Sequence, residues 1–174
     1  MTTTSNRQVL LAARPVGLPK DSDWKITETN TPDLKTGEIL VENKFISVDP
    51  AMRPRLSNGQ QRLHQAMGAG TIGVVTASRH SAFAEGDVVQ HGLGFREHVL
   101  SDGRGVNHLD AAGLSPTLYM HVLGPTGFTA WGGMLITGEL KDGENVFVSA
   151  AAGAVGSVAA QIARIKGCYV IGSA

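Results

Sequence analysis

Along residues 7–109 the apolar positions fall into short runs, at 8–12, 24–28, 38–47 and 71–78, each enriched in β-branched or aromatic residues. Proline and glycine punctuate them, as in Arg14-Pro15-Val16-Gly17 and Lys35-Thr36-Gly37. Residues 84–89 read as a turn leading into a further strand, and 95–100 as the next. This pattern predicts a small all-β domain, a barrel or a sandwich. Gly68, Gly70 and Gly73 lie in or beside the fourth strand, where they permit the sharp coiling by which a small barrel closes.

From Ala111 the texture changes. Residues 118–123 and 128–136, on either side of Gly124-Pro125-Thr126-Gly127, read as helix-forming segments. Val146, Phe147 and Val148 then make a short apolar run of the kind a buried parallel strand needs. Beyond it Val155, Val158, Ala159, Ile162 and Ala163 recur at helical spacing, which gives a helix one face to bury. Arg164 and Lys166 in its last turn and Gly167 after it mark its end, and 168–171 resumes as a strand. We therefore expect a β domain over 1–115 and, over 116–174, a helical connector with the first βαβ unit of an α/β domain. The change falls between 109 and 125.

The turn between strand and helix carries the chemistry. Gly153 and Gly156 occupy the second and third glycine positions of a G-x-G-x-x-G dinucleotide-binding turn, with Ala151 where the first would stand. Without a side chain at Gly153 a pyrophosphate can approach the backbone, and the free N–H groups of the helix N-terminus supply donors and a partial positive charge. The alternative is that both glycines serve only tight packing. An NAD-specific domain places an acid about 20 residues beyond the motif to hold the ribose hydroxyls; here that place is Gly172-Ser173-Ala174, so NADPH is the expected cofactor. A doubly wound domain needs about six parallel strands, which makes this chain a piece of a longer enzyme or a shortened relative. On its own it should bind NADPH weakly and catalyse nothing.

Charge narrows the partners. Lysine plus arginine balance aspartate plus glutamate at 15 each, so nothing steers the chain towards nucleic acid or an anionic membrane. The single cysteine, Cys168, falls in the second predicted parallel strand and permits neither a disulfide framework nor a cysteine-based zinc site. Residues 1–7 are polar and no apolar run approaches membrane-spanning length, so a cytoplasmic location is expected. His64, His80, His91, His98, His108 and His121 are dispersed without metal-ligand spacing, and no bound metal is expected.

Together these pieces resemble the medium-chain dehydrogenase/reductase superfamily, in which a GroES-like β-barrel domain precedes a Rossmann domain, here truncated after its first βαβ unit. Three stretches narrow the resemblance: Ser47-Val-Asp-Pro-Ala-Met-Arg53, Gly124-Pro-Thr-Gly-Phe-Thr-Ala-Trp131, and Ala150-Ala-Ala-Gly-Ala-Val-Gly-Ser157. They look like the zinc-independent branch of prostaglandin reductases, curcumin reductases and NADPH-dependent alkenal/one oxidoreductases. The resemblance implies NADPH-dependent reduction of the carbon–carbon double bond of an enone or enal, in a protein that is a dimer when complete. It implies that Gly153, Ala154, Val155 and Gly156 hold the pyrophosphate, with Thr129 a neighbour of the cofactor. It assigns the catalytic tyrosine to a part of the family that residues 1–174 do not cover.

One position departs from the pattern: relatives often carry tyrosine after Asp-Pro, and Ala51 stands here. It implies a roomier pocket or a different substrate, unless the position is simply a loop residue. Asp49 reads as a turn starter or a pocket acid, and Arg53 and Arg55 as solvated cations or partners of an acidic substrate. Tyr119 and Trp131 read as packing residues. Two other functions stay open: a quinone oxidoreductase of the same superfamily, and a truncated, non-catalytic binding or assembly module.

Overall fold

In the computed structural model, which describes residues 5–174, the chain divides after Ala112 into two compact units. The polar residues 1–4 lie outside the described range.

In the first unit the strands β1 (Ser5–Leu11) and β2 (Trp24–Asn30) pair antiparallel as a hairpin. A second sheet contains β3 (Ile39–Ile46), β4 (Thr71–Ser78), β5 (Val88–His91), β6 (His98–Ser101) and β7 (Asn107–His108) in the order β6-β3-β4-β5-β7, and the helix α1 (Met52–Ser57) lies between β3 and β4. The two sheets are joined where β1 runs beside residues 95–98. Val9 N–H donates to Phe95 O at 3.0 Å and Glu97 N–H to Arg7 O at 3.0 Å. The buried Asn6 donates to His98 O at 2.9 Å and accepts from His98 N–H at 3.0 Å. These bonds claim 95–97, so β6 proper begins at His98 and not at the expected residue 95. Alternation places Ile39, Val41, Val75, Val89 and Val99 in one core, while Leu11, Met52, Leu56, Met67 and Ala69 form another.

A polar knot locks one end of the larger sheet. His91, 4% exposed, accepts Leu93 N–H at Nδ1 (3.2 Å), which leaves its proton on Nε2 to donate to Asn43 Oδ1 at 3.0 Å. The Asn43 amide in turn donates to Gly94 O and Arg96 O, at 3.1 and 2.8 Å. Burial first, and then the positive charge of Arg96, hold the His91 imidazole down to about 4 from an ordinary 6.5. Between those two values the unfolded chain binds the extra proton, so the stability that neutral His91 contributes is complete above 6.5 and is lost as pH falls towards 4. We expect the wild type to lose about 2 kcal/mol more than His91→Gln across that window, after discounting for solvent screening. Urea unfolding of both proteins at the two ends of the window checks this; equal losses would contradict it.

The second unit opens with a 3₁₀ turn (Pro116–Met120) and continues into α2 (Pro125–Trp131), with Pro125 at the first helical position. Residues 118–123 are thus not a regular helix: Leu123 N–H turns back to Leu118 O at 2.8 Å. Nor is 128–136 one helix. After Trp131 the chain widens into a π-helical turn (Gly132–Thr137), with Gly138 N–H on Gly133 O at 2.9 Å. The strand β8 (Asn145–Val148), the helix α3 (Ala154–Ile165) and the strand β9 (Tyr169–Gly172) follow, with β8 and β9 parallel in the register Asn145↔Tyr169 to Val148↔Gly172. Cys168, expected in the strand, precedes it: its N–H closes the end of α3 on Ala163 O at 3.0 Å, next to Gly167 at φ 71°. On α3, Val158 and Ala159 pack against Ala130 of α2, with Ile162 and Met134 beside them. The opposite sheet face carries Phe147 and Tyr169, 67% and 66% exposed.

Candidate functional site

The turn from β8 into α3 is built around one left-handed residue and two close approaches that exclude side chains. Ala150 takes a left-handed φ of 50°, and its carbonyl accepts Gly153 N–H at 2.9 Å. A Cβ on Gly156 would overlap that carbonyl oxygen and lie 2.9 Å from the carbonyl carbon. A Cβ on Gly172 would come within 2.6 Å of the Ala151 methyl. Ala151 N–H donates to Ser173 O at 2.8 Å and Ser173 N–H to Val148 O at 3.0 Å, which pins the turn to the end of β9.

Gly153 is the N-cap of α3, in extended conformation, and the first intrahelical bond runs from Ser157 N–H to Gly153 O at 2.9 Å. The N–H groups of Ala154, Val155 and Gly156 therefore belong to the first turn, whose donors have no intrahelical acceptor. No acidic side chain stands in that turn, so the positive end of the helix is not neutralised. Beside it is a recess of about 390 Å³, lined by Gly153, Val155 and Gly156 together with Met134, Phe147, Ser149 and Ala150.

The sequence does not mark Met134, Phe147, Ser149 or Ala150 as residues of the site. Phe147 had a signal: it alternates with Val146 and Val148, and one face of a strand edge beside a glycine turn has to border the space above it. Ala150 had none, since alanine rarely adopts positive φ. Ala154 opens α3 without lining the recess, and Thr129 is exposed on α2 with its hydroxyl donating to Pro125 O at 2.7 Å.

The other candidates are dispersed. Asp49 heads the turn into α1: its Oδ2 accepts from Ser47 Oγ at 2.7 Å, and its carbonyl from Met52 N–H at 2.9 Å. Arg53 donates to Ser57 Oγ and to the Gly17 carbonyl. Arg55 lies along Gly68, where a Cβ would meet Nη2 at 3.1 Å, and Ala51 is an exposed N-cap of α1. Tyr119 is half-buried in the 3₁₀ turn, and Trp131 stacks on Phe128 with ring centroids 5.9 Å apart. Among the described residues no group of three or more His, Cys, Asp or Glu is placed to hold a metal ion, and no helix is long and apolar enough to cross a membrane.

Comparison with known proteins gives the family of the chain. Residues 7–109 match the family model described as the N-terminal domain of oxidoreductase. Prostaglandin reductase 1 of Rattus norvegicus is 42% identical over 91% of this chain and 48% of its own length. The NADPH-dependent curcumin reductase of Escherichia coli is 34% identical over 97% of this chain and 50% of its own. Among solved structures, CurA of Vibrio vulnificus in complex with NADPH superposes with a TM-score of 0.86 at 37% identity, over 95% of this chain and 51% of that one. The chain spans about half the length of the curated relatives it matches.

Proposed function

Because the chain belongs to the medium-chain dehydrogenase/reductase superfamily, on the branch of the prostaglandin and curcumin reductases, we propose that the complete protein reduces the carbon–carbon double bond of enones and enals with NADPH. The observation that carries the cofactor half is the turn at Ala150–Gly156. Its Cβ-excluding approach at Gly156 and its uncompensated helix N-terminus fit a pyrophosphate.

Gly153 leaves the backbone open to the phosphates, and the N–H groups of Ala154, Val155 and Gly156 donate to them. Met134, Phe147 and Val155 give one side of the recess an apolar wall. Thr129, whose hydroxyl still has lone pairs to offer, is placed in this reading as a neighbour of the cofactor. Held there, NADPH would supply hydride chemistry at the β-carbon of the conjugated double bond, and a proton drawn from water at the α-carbon would complete the saturated ketone or aldehyde. The reading includes no metal, since the Gly-His-Glu stretch of the superfamily's zinc-dependent branch has no counterpart in Met67-Gly-Ala-Gly-Thr-Ile-Gly73.

Benzylideneacetone tests it. The complete protein should oxidise NADPH and release benzylacetone, with kcat/KM for NADPH exceeding that for NADH by more than about tenfold, because Gly172-Ser173-Ala174 ends β9 without a carboxylate to repel a 2′-phosphate. A preference for NADH would contradict the cofactor assignment. Turnover should also survive exhaustive chelation. Stoichiometric zinc whose removal stops the reaction would overturn the metal-free reading.

A further inference from the structure

One residue of the glycine turn holds an unfavourable backbone conformation, and it is not the residue that stands in place of the motif's first glycine. That place belongs to Ala151. Among the described residues the non-glycine positions of positive φ are His64, Ala112, Glu139 and Ala150, so the left-handed residue of the turn lies one position earlier. An L side chain in this region brings Cβ close to the following carbonyl oxygen, a contact that glycine does not make.

Both motif glycines face the carbonyl oxygen of Ala150. Gly153 N–H donates to it at 2.9 Å, and it is the nearest atom that a Cβ on Gly153 would approach, at 3.1 Å. A Cβ on Gly156 would overlap the same oxygen. This one carbonyl therefore sets how closely the start of α3 lies against the turn, and with it where the first N–H groups of the helix point. Rotating φ of Ala150 out of the left-handed region would swing the oxygen away from both glycines. Ala151 has a different task. Its N–H donates to Ser173 O at 2.8 Å, and its methyl lies over Gly172, where a Cβ would come within 2.6 Å of it. Those contacts tie the turn to β9 and need no left-handed backbone.

We propose that Ala150 is a positioning residue of the cofactor turn, which acts through its left-handed backbone and not through its methyl group. It supplies at position 150 the tight turn that a first glycine would supply at 151. The proposal rests on the reading of this turn as the pyrophosphate site.

Three variants of the complete protein separate backbone from side chain, each measured by urea unfolding without cofactor and by calorimetric titration with NADPH. Ala150→Gly removes the methyl and keeps the conformation, so it should raise the unfolding midpoint and leave the Kd for NADPH within about twofold of wild type. Ala151→Gly completes the G-x-G-x-x-G pattern, yet it should lower the midpoint, because it loosens the unfolded chain and uncovers Gly172. Ala150→Val puts a β-branched residue where positive φ is required, and should raise the Kd by more than about tenfold. If Ala150→Val does not fold, the two glycine variants decide through the opposite signs of their midpoint shifts. A lowered midpoint or a tenfold weaker Kd for Ala150→Gly, a raised midpoint for Ala151→Gly, or wild-type affinity in Ala150→Val would overturn the proposal. Wild-type protein that does not bind NADPH would instead sink the pyrophosphate reading, and the midpoints would still judge the role of the Ala150 backbone.

Discussion

Gly156→Val is expected to abolish NADPH binding while leaving the first unit folded. The new Cβ would overlap the Ala150 carbonyl oxygen and press on the Ala151 Cα at 3.0 Å, and both are backbone atoms that cannot rotate away. The clash can be relieved by lifting the start of α3 off the turn. That displaces Val155, Gly156 and the donor N–H groups from the recess, and disturbs the contact of Val158 and Ala159 with Ala130. Overpacking of this kind costs about 1–3 kcal/mol, and lost alignment of the N–H donors should lower NADPH affinity more than about a hundredfold. Calorimetric titration of the complete protein with NADPH, beside a melting curve, separates the two effects. Undiminished affinity would show that the turn does not hold the phosphates.

Gly94→Ala should have the largest effect on folding. Gly94 is buried at φ 64°, where a side chain costs roughly 1–2 kcal/mol for backbone conformation alone. Its Cβ would also overlap Met67 O and lie 2.5 Å from Ala69 N and 2.8 Å from Gly68 C. Those atoms belong to the segment that Phe95 N–H binds at Met67 O, and Gly94 itself bonds Thr71 Oγ1 and the Asn43 amide. Moving them breaks the junction of β4, β5 and the strand-like segment 95–97. We expect a loss of about 4 kcal/mol or more, a large part of a typical domain's stability. Gly17→Ala is the matched control: its φ is 75°, but nothing lies within 4 Å of the added methyl, so only the conformational cost remains. Denaturant midpoints of the two variants check the contrast. Similar small losses would mean that backbone conformation, not close approach, sets the requirement.

Local periodicity was enough to read much of this molecule. The run 71–78 is β4 to the residue, because its β-branched residues form a near-continuous buried run between two neighbours in the sheet. The spacing from Val155 to Ala163 is α3, and Gly153 caps it. What escaped depends on contacts distant in sequence or on rare backbone states. Residues 95–97 were read with β6 because nothing local announces that β1 binds them. The π-helical turn after Trp131 follows from Gly132 and Gly133, which allow a wide turn without requiring it. Of the glycine turn, Gly153 and Gly156 were visible as a motif, whereas the left-handed Ala150 that makes Gly156 indispensable was not.

The site of hydride delivery tests the central claim most directly. With NADPH deuterated at the transferring position of its nicotinamide and benzylideneacetone as acceptor, the complete protein should place the deuterium on the β-carbon of benzylacetone. Deuterium on the carbonyl carbon of an allylic alcohol, or no transfer from NADPH at all, would contradict it.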